Sequence, residues 1–359
     1  MTRINKFIVD LRPLSSHKYG GVQTLNRNFI EQIVKNLKND QKLVFLTTGL
    51  GKSTVHLPKL EQYLQRSNIS HKHIRMPNLL LNLTLNILNW PKFDKACGLY
   101  SKHPKHRSSY LTLDVRPFAV SKKCQSSVYF HDVAFIEQKH SLSLRARLYF
   151  WLINPAKIYR KARKVLTNSD FSRRKLRKYF GKKPVQIIYP SVKKPTSFFE
   201  RKKDSNKMLC IQTLQPRKNI QEIFEFAKAN PKLKFLIVGS HQNSFKKTKQ
   251  AKLPNIEFLG AITDKQKLKL LKQSRALLYT SNYEGFGLPI YEALVQKTPV
   301  ICHKCKPFTQ LFANIKLNYI EDLNDLKIPK KLIAPQKPYR FSLKKSGRSI
   351  SKLLEKQVS

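Results

Sequence analysis

The segment YEGFGLPIYEA, residues 283–293, holds two carboxylates, Glu284 and Glu292, on either side of seven residues that include Gly285, Gly287 and Pro289. It follows the apolar run ALLYTS, which reads as a buried strand, and opens the helical pattern LPIYEALVQK. Glycines at such a turn allow tight backbone and close approach of a ligand. Backbone amides at the start of a helix favour an anion. A carboxylate would repel that anion, yet it accepts hydrogen bonds well from sugar hydroxyls. The combination suits a ligand with both phosphate and hydroxyls, as a nucleotide sugar has. Acids placed only to complement a helix dipole would explain Glu284 but not the two glycines.

The opposite charge stands in LQPRKNI, where Arg217 and Lys218 follow the strand KMLCIQTL and precede the helix NIQEIFEFAKAN. Two cations there suit a diphosphate, Arg by forked hydrogen bonds and Lys as a point charge. Among 70 basic residues a solvated pair is the plainer reading on charge alone, and the strand-to-helix placement favours the site. Two other patterns lead elsewhere. TTGLGKST lacks the first glycine of a phosphate loop, because position 46 is Leu. The pair Cys302 and Cys305 has no second pair to complete a zinc site.

Strands and helices alternate through both halves, which predicts two doubly wound parallel sheets. The first half runs from KFIVDL through GGVQTLNRNFIEQIVKNLK to VQIIYPS, and the second restarts at KMLCIQTL. Between them, residues 192–206 are charged, proline-bearing and unpatterned, and read as a linker. The expected domains are 1–191, then 207–340, with a final basic helix over 341–359. Ser169, Asn219 and Thr263 are expected helix N-caps, with Gln266 completing a capping box at Thr263 and Gly181 ending a helix. A bend is expected near Pro155 in LRARLYFWLINPAKIYRKAR. LLLNLTLNILNW, with Asn82, Asn86 and Asn89 on one face, reads first as a helix packed on the sheet. The alternative is a helix lying in a membrane interface, with Trp90 at the boundary.

The net charge is +49, which suits nucleic acid, an anionic membrane surface or a polyanionic substrate. Residues 145–183 alone hold fourteen Lys or Arg and one acid, Asp170, interleaved with aromatic residues. Five scattered cysteines fit reduced thiols. No run approaches a membrane span, and the start lacks the pattern of a signal peptide, so a cytoplasmic protein is expected.

Six segments together resemble the retaining glycosyltransferases of the group-1 family, family four of the glycosyltransferase classification. EGFGLPIYEA matches the family's pair of glutamates seven residues apart, and LQPRKNI its phosphate-clamping segment. VYFHDVAF, TNSDFSRRKL, YGGVQTLNRNFI and RFSLKKSGRSISKLL resemble further family segments, and all six occur in family order. The resemblance implies an α/β GT-B fold: two Rossmann-like domains facing a cleft, with the C-terminal helix crossing back to the first. It implies transfer of a hexose-type sugar from a nucleotide-diphosphate sugar to a glycan or lipid-linked acceptor, with retained anomeric configuration. Glu284 would bind donor-sugar hydroxyls, and the backbone of Gly285, Phe286, Gly287 and Leu288 the sugar and phosphate. Glu292 would bind ribose. Arg217 and Lys218 would take the diphosphate, His131 would sit near sugar and acceptor, and Gly20 and Gly21 would approach from the first domain. No cofactor or metal is implied. Gln212 and Lys297 stand where the family often has glycine, and Gln310 where glutamate is usual. The expected setting is the cytoplasmic face of a membrane, in surface polysaccharide or glycolipid assembly, with an anionic membrane as partner in preference to nucleic acid. The rival readings are a basic nucleic-acid-binding protein on such a scaffold and an inactive assembly partner.

Overall fold

Apolar runs bounded by polar turns become parallel strands when helices cover both faces of the sheet. The computed structural model describes residues 6–15, 20–51, 55–100, 108–190, 192, 206–212, 218–239, 253–320, 327–328, 331–333, 346, 348–350 and 352. The chain divides into two units. Met1–Lys18, Val22–Ser191 and Phe341–Ser359 make the first, and Tyr19–Gly21 with Val192–Arg340 the second.

In the first unit seven parallel strands are ordered β3-β2-β1-β4-β5-β6-β7. They are Lys6–Asp10 (β1), Lys42–Gly49 (β2), Ile69–Arg75 (β3), Ser108–Thr112 (β4), Cys124–Phe130 (β5), Lys164–Thr167 (β6) and Val185–Ile187 (β7). Alternate residues of β1 feed opposite faces, as the period of two demands. Phe7 and Val9 join Leu25, Phe29 and Ile33 of helix Gly21–Lys35 in one core, and Ile8 joins Val44, Leu81 and Tyr110 in the other. All seven residues of β5 are buried. β3 lies at the margin, with the polar sequence ISHKHIR and an exposed middle.

The second unit repeats the plan with Lys207–Ile211 (β8), Lys234–Val238 (β9), Ile256–Gly260 (β10), Ala276–Tyr279 (β11), Val300–His303 (β12) and Asn318–Ile320 (β13). Their order is β10-β9-β8-β11-β12-β13, again all parallel. Each sheet thus reverses direction beside its first strand, between β1 and β4 and between β8 and β11. Open parallel sheets bind ligands outside the carboxyl ends of the strands at such a reversal.

Local signals decide the helix ends. The Ser169 side chain accepts from the Ser172 amide, and Gly181 ends helix Asp170–Phe180. Thr263 and Gln266 form both halves of a capping box. Asn219 differs from expectation: it takes a left-handed conformation and makes no cap hydrogen bond. The expected bend near Pro155 is a full break. Helix Leu144–Ile153 stops at Asn154, at φ +49°, and the Asn154 side chain then caps Pro155–Lys161. Helix Asn78–Ile87 ends before Asn89, so Asn89 is not on its face, while Leu81 and Leu85 pack inward.

Of the expected linker 192–206, only Val192 and Asn206 lie among the described residues. The terminal helix expected over 341–359 is also mostly outside them, although Ile350 is buried in the first unit's core. Among the described residues no helix is long and apolar enough to cross a membrane.

Candidate active site

The reversal between β8 and β11 gathers the polar residues that follow those strands. β11 is buried throughout, and Thr280, Ser281, Tyr283 and Glu284 leave its carboxyl end. Gln212, just past β8, donates Nε2 to Thr280 Oγ1 at 3.3 Å across the reversal. The Thr280 hydroxyl in turn donates to the carbonyl oxygens of Lys218 and Asn219, each at 3.0 Å. The turn ahead of helix Ile220–Ala229 is thereby tied to the end of β11.

Lys218 and Glu284 meet there. The Lys218 ammonium forms an ion pair with Glu284 Oε1. The same oxygen accepts from the Tyr279 and Ser281 hydroxyls, both at 2.8 Å. Lys218 Nζ also lies 3.1 Å from the Tyr279 hydroxyl and 5.4 Å from the centre of its ring. Three donors on one carboxylate oxygen fix its direction and balance its charge at low exposure. Tyr279 and Ser281 were not expected as site residues. The signal was available, because a tyrosine at the end of a buried strand needs a partner for its hydroxyl.

After Glu284 the chain turns through Gly285, Phe286 and Gly287 into helix Leu288–Val295, with Pro289 in its first turn. Gly287 is required twice over. Its φ is +80°, and a Cβ there would lie 2.6 Å from the buried Phe308 ring. The Phe286 side chain is buried against Tyr291 and Phe312, so only its backbone is left to meet a ligand. At the other end of the helix, Thr298 N–H donates to Ala293 O at 2.9 Å and Lys297 N–H to Leu294 O at 3.0 Å. This paired closure puts Lys297 at φ +57°, the position glycine usually fills.

Glu292, one turn into that helix, is buried and pairs with Lys267 Nζ at 2.6 Å. Burial alone would pull Lys267 down, but Glu292 and Asp264 outweigh it and hold its ammonium above the ordinary lysine range. Beside the site, Glu222 Oε2 receives Asn219 Nδ2 at 2.5 Å and lies 2.7 Å from His303 Nε2. The Glu222 and Gln212 Oε1 atoms are buried with no hydrogen-bond partner among the described residues. Buried oxygens of this kind are uncommon in a finished core and mark polar capacity not yet used.

Arg217 is outside the described residues. Gly20 and Gly21 stand at the start of helix Gly21–Lys35. In the first unit, His131 follows β5 and places Nε2 2.8 Å from the Leu113 carbonyl. That oxygen can only accept, so Nε2 carries the proton and Nδ1 is the basic nitrogen of the neutral ring.

The sequence profile of the glycosyl transferases group 1 family matches residues 193–327. The O-antigen chain mannosyltransferase RfbU of Salmonella typhimurium is 26% identical over 226 residues, 61% of this chain and 58% of that protein. The chain therefore spans less than two thirds of that relative's length. Sucrose-phosphate synthase from Thermosynechococcus elongatus superposes with a TM-score of 0.62 at 15% identity, covering 98% of this chain and 94% of that one. The Anabaena protein HepE, in a complex with UDP-glucose, gives 0.57 at 15% identity, covering 98% and 90%. Residues 193–327 thus match the glycosyl transferases group 1 family, and the chain is built on the GT-B fold.

Proposed function

We propose that this protein is a retaining glycosyltransferase that moves a hexose-type sugar from a nucleotide-diphosphate sugar to a glycan or lipid-linked acceptor in surface polysaccharide or glycolipid assembly. The observation that carries the reading is the Lys218–Glu284 pair at the reversal between β8 and β11. A cation for phosphate and an oriented carboxylate for hydroxyls stand together where such sheets bind ligands. The similarity to an O-antigen mannosyltransferase favours a hexose and a surface glycan. The similarity to HepE with UDP-glucose favours a nucleotide-linked donor.

In this reading residues 207–340 bind the donor and residues 1–191 the acceptor. Glu284 accepts hydrogen bonds from donor hydroxyls near the reacting carbon, positioned by Tyr279 and Ser281. Lys218, with Arg217, takes the diphosphate. As the bond from the sugar carbon to the phosphate oxygen breaks, negative charge grows on the phosphate, where preorganised cations act most strongly. The acceptor oxygen bonds to that carbon on the same face, and its proton passes to the departing phosphate. The backbone of 285–288 supports sugar and phosphate, and Glu292, steadied by Lys267, faces the ribose. His131, Gly20 and Gly21 complete the surroundings of the sugar.

A panel of nucleotide sugars, mannosyl donors first, tests this by turnover and by thermal stabilisation. At least one donor should be turned over, with a loss of about 10²–10³-fold in Glu284→Gln and in Lys218→Met. Absence of both readouts across the panel, or variants as active as the parent, would refute it.

A further inference from the structure

Two helices of the first unit turn apolar side chains outward. On helix Asn78–Ile87, Leu79, Leu80 and Ile87 share a stripe opposite the buried Leu81 and Leu85. Ile87 is 74% exposed, and Trp90 just beyond is 54% exposed. On helix Leu144–Ile153, Leu144, Leu148 and Trp151 recur one turn apart, at 81%, 64% and 77% exposure. The two helices pack on each other, and Asn86 donates Nδ2 to the Leu152 carbonyl oxygen at 2.6 Å. On the helical wheel Asn86 adjoins Leu79, and Leu152 adjoins Leu148, so the two stripes flank one contact line. A solvated helix normally shows the reverse pattern, and a contiguous apolar patch marks an interaction site.

Charge selects the occupant. Lys157 bonds the Asn86 carbonyl, and Lys161 donates to Asn89 Oδ1 at 2.8 Å, so ammonium groups border the patch. The basic run 145–183 begins within it. A second copy of this chain would bring the same positive rim against itself. Nucleic acid would find stacking only at Trp90 and Trp151, because the other five exposed side chains are Leu or Ile, which offer neither stacking nor hydrogen bonds. An anionic bilayer matches both parts, with phosphates for the rim, acyl chains for Leu and Ile, and an interfacial level suited to Trp. We infer that this face docks the first unit on an anionic lipid bilayer. The inference is independent of which sugar is transferred.

The test uses a built-in probe. The chain has only two tryptophans, Trp90 and Trp151, so its emission reports this face alone. The full chain is mixed with vesicles of phosphatidylcholine, with and without phosphatidylglycerol. Expected are a blue shift and co-sedimentation with the anionic vesicles, at least about tenfold stronger than with the neutral ones. The double variant Ile87→Asp/Leu148→Asp, at exposed positions, should keep the parent's unfolding temperature, lose the blue shift and bind at least about tenfold more weakly. Should it unfold early, Leu144→Gln supplies the same comparison. Binding without a blue shift, or variants that bind like the parent, would mean diffuse charge alone and overturn the inference. So would a blue shift with an RNA oligonucleotide in place of vesicles, or lipid-free self-association that the variants abolish.

Discussion

Both sheets reverse at equivalent points, and each buries an acid–base pair beside the reversal, yet the two pairs are built to different ends. In the first unit Asp10, closing β1, takes Arg12 Nε on both oxygens at 3.0 Å and the Tyr110 hydroxyl at 2.7 Å. Arg12 also donates to the Pro117 carbonyl at 2.8 Å and lies 5.1 Å over the Phe93 ring. Burial would raise the Asp10 carboxyl, but Arg12 and Tyr110 hold it below the usual range. In the second unit Lys218 and Glu284 also pair, but Gln212 and Glu222 beside them keep buried oxygens with no partner among the described residues. The Asp10–Arg12 pair has its own polar atoms taken up and braces the sheet, whereas the Lys218–Glu284 pair stands beside two acceptors that can still serve a ligand. Topology names the place, and hydrogen-bond bookkeeping tells the two uses apart.

The sharpest way to break this contrast is Asp10→Ala. It strands a buried Arg12 and should cost about 3–5 kcal/mol in chemical denaturation. Glu284→Ala also strands a buried cation, Lys218, so it should lose stability together with most of its turnover. Asp10→Ala should act through stability alone, and a neutral Asp10→Ala would erase the distinction. Gly287→Ala comes next. A side chain at φ +80° pressed on Phe308 should cost about 1–3 kcal/mol and lower donor turnover, because the loop after Glu284 must shift. Lys297→Gly should act oppositely, stabilising by about 1 kcal/mol in the same denaturation assay by relieving a left-handed non-glycine.

The last effect is read along the pH axis and belongs to Lys161 in the first unit. Burial, with Lys92 and Lys157 nearby, pushes its ammonium from 10.5 down to about 8. Between those values the unfolded chain binds the proton and the folded chain does not, so stability contributed by this group rises with pH across that window. It is lost as pH falls through about 8. Lys161→Met should flatten that part of a stability–pH curve.

Much of this architecture could be read in advance. Apolar runs such as KFIVDL and ALLYTS announced buried parallel strands, and Thr263 with Gln266 announced a helix start that the structure bears out. β3 escaped notice because a marginal strand buries little and so shows no apolar run. Within the site, the glutamates and Lys218 stood out by their turns, whereas their partners did not. Lys267 and Glu292 are 25 residues apart in sequence, and Lys218 and Glu284 are 66 apart, so only tertiary packing joins them. Asn219 looked like an N-cap by residue type. Its side chain instead donates to the Glu222 carboxylate three residues on, a choice between two local hydrogen bonds that residue type cannot settle.

The marginal strand β3 has a consequence for solubility. A bare sheet edge offers unpaired backbone groups to any passing strand, which is how folded proteins begin to aggregate. Here that rim carries Lys72 and Arg75, with His71 and His73 anchored on the Thr47 hydroxyl. A like chain approaching it would set cation against cation. Burial and the neighbouring His73 hold His71 below the ordinary imidazole range, so this ring takes up its proton only at lower pH. Each proton gained raises the barrier to intermolecular strand addition, and acidification reinforces the guard on this edge.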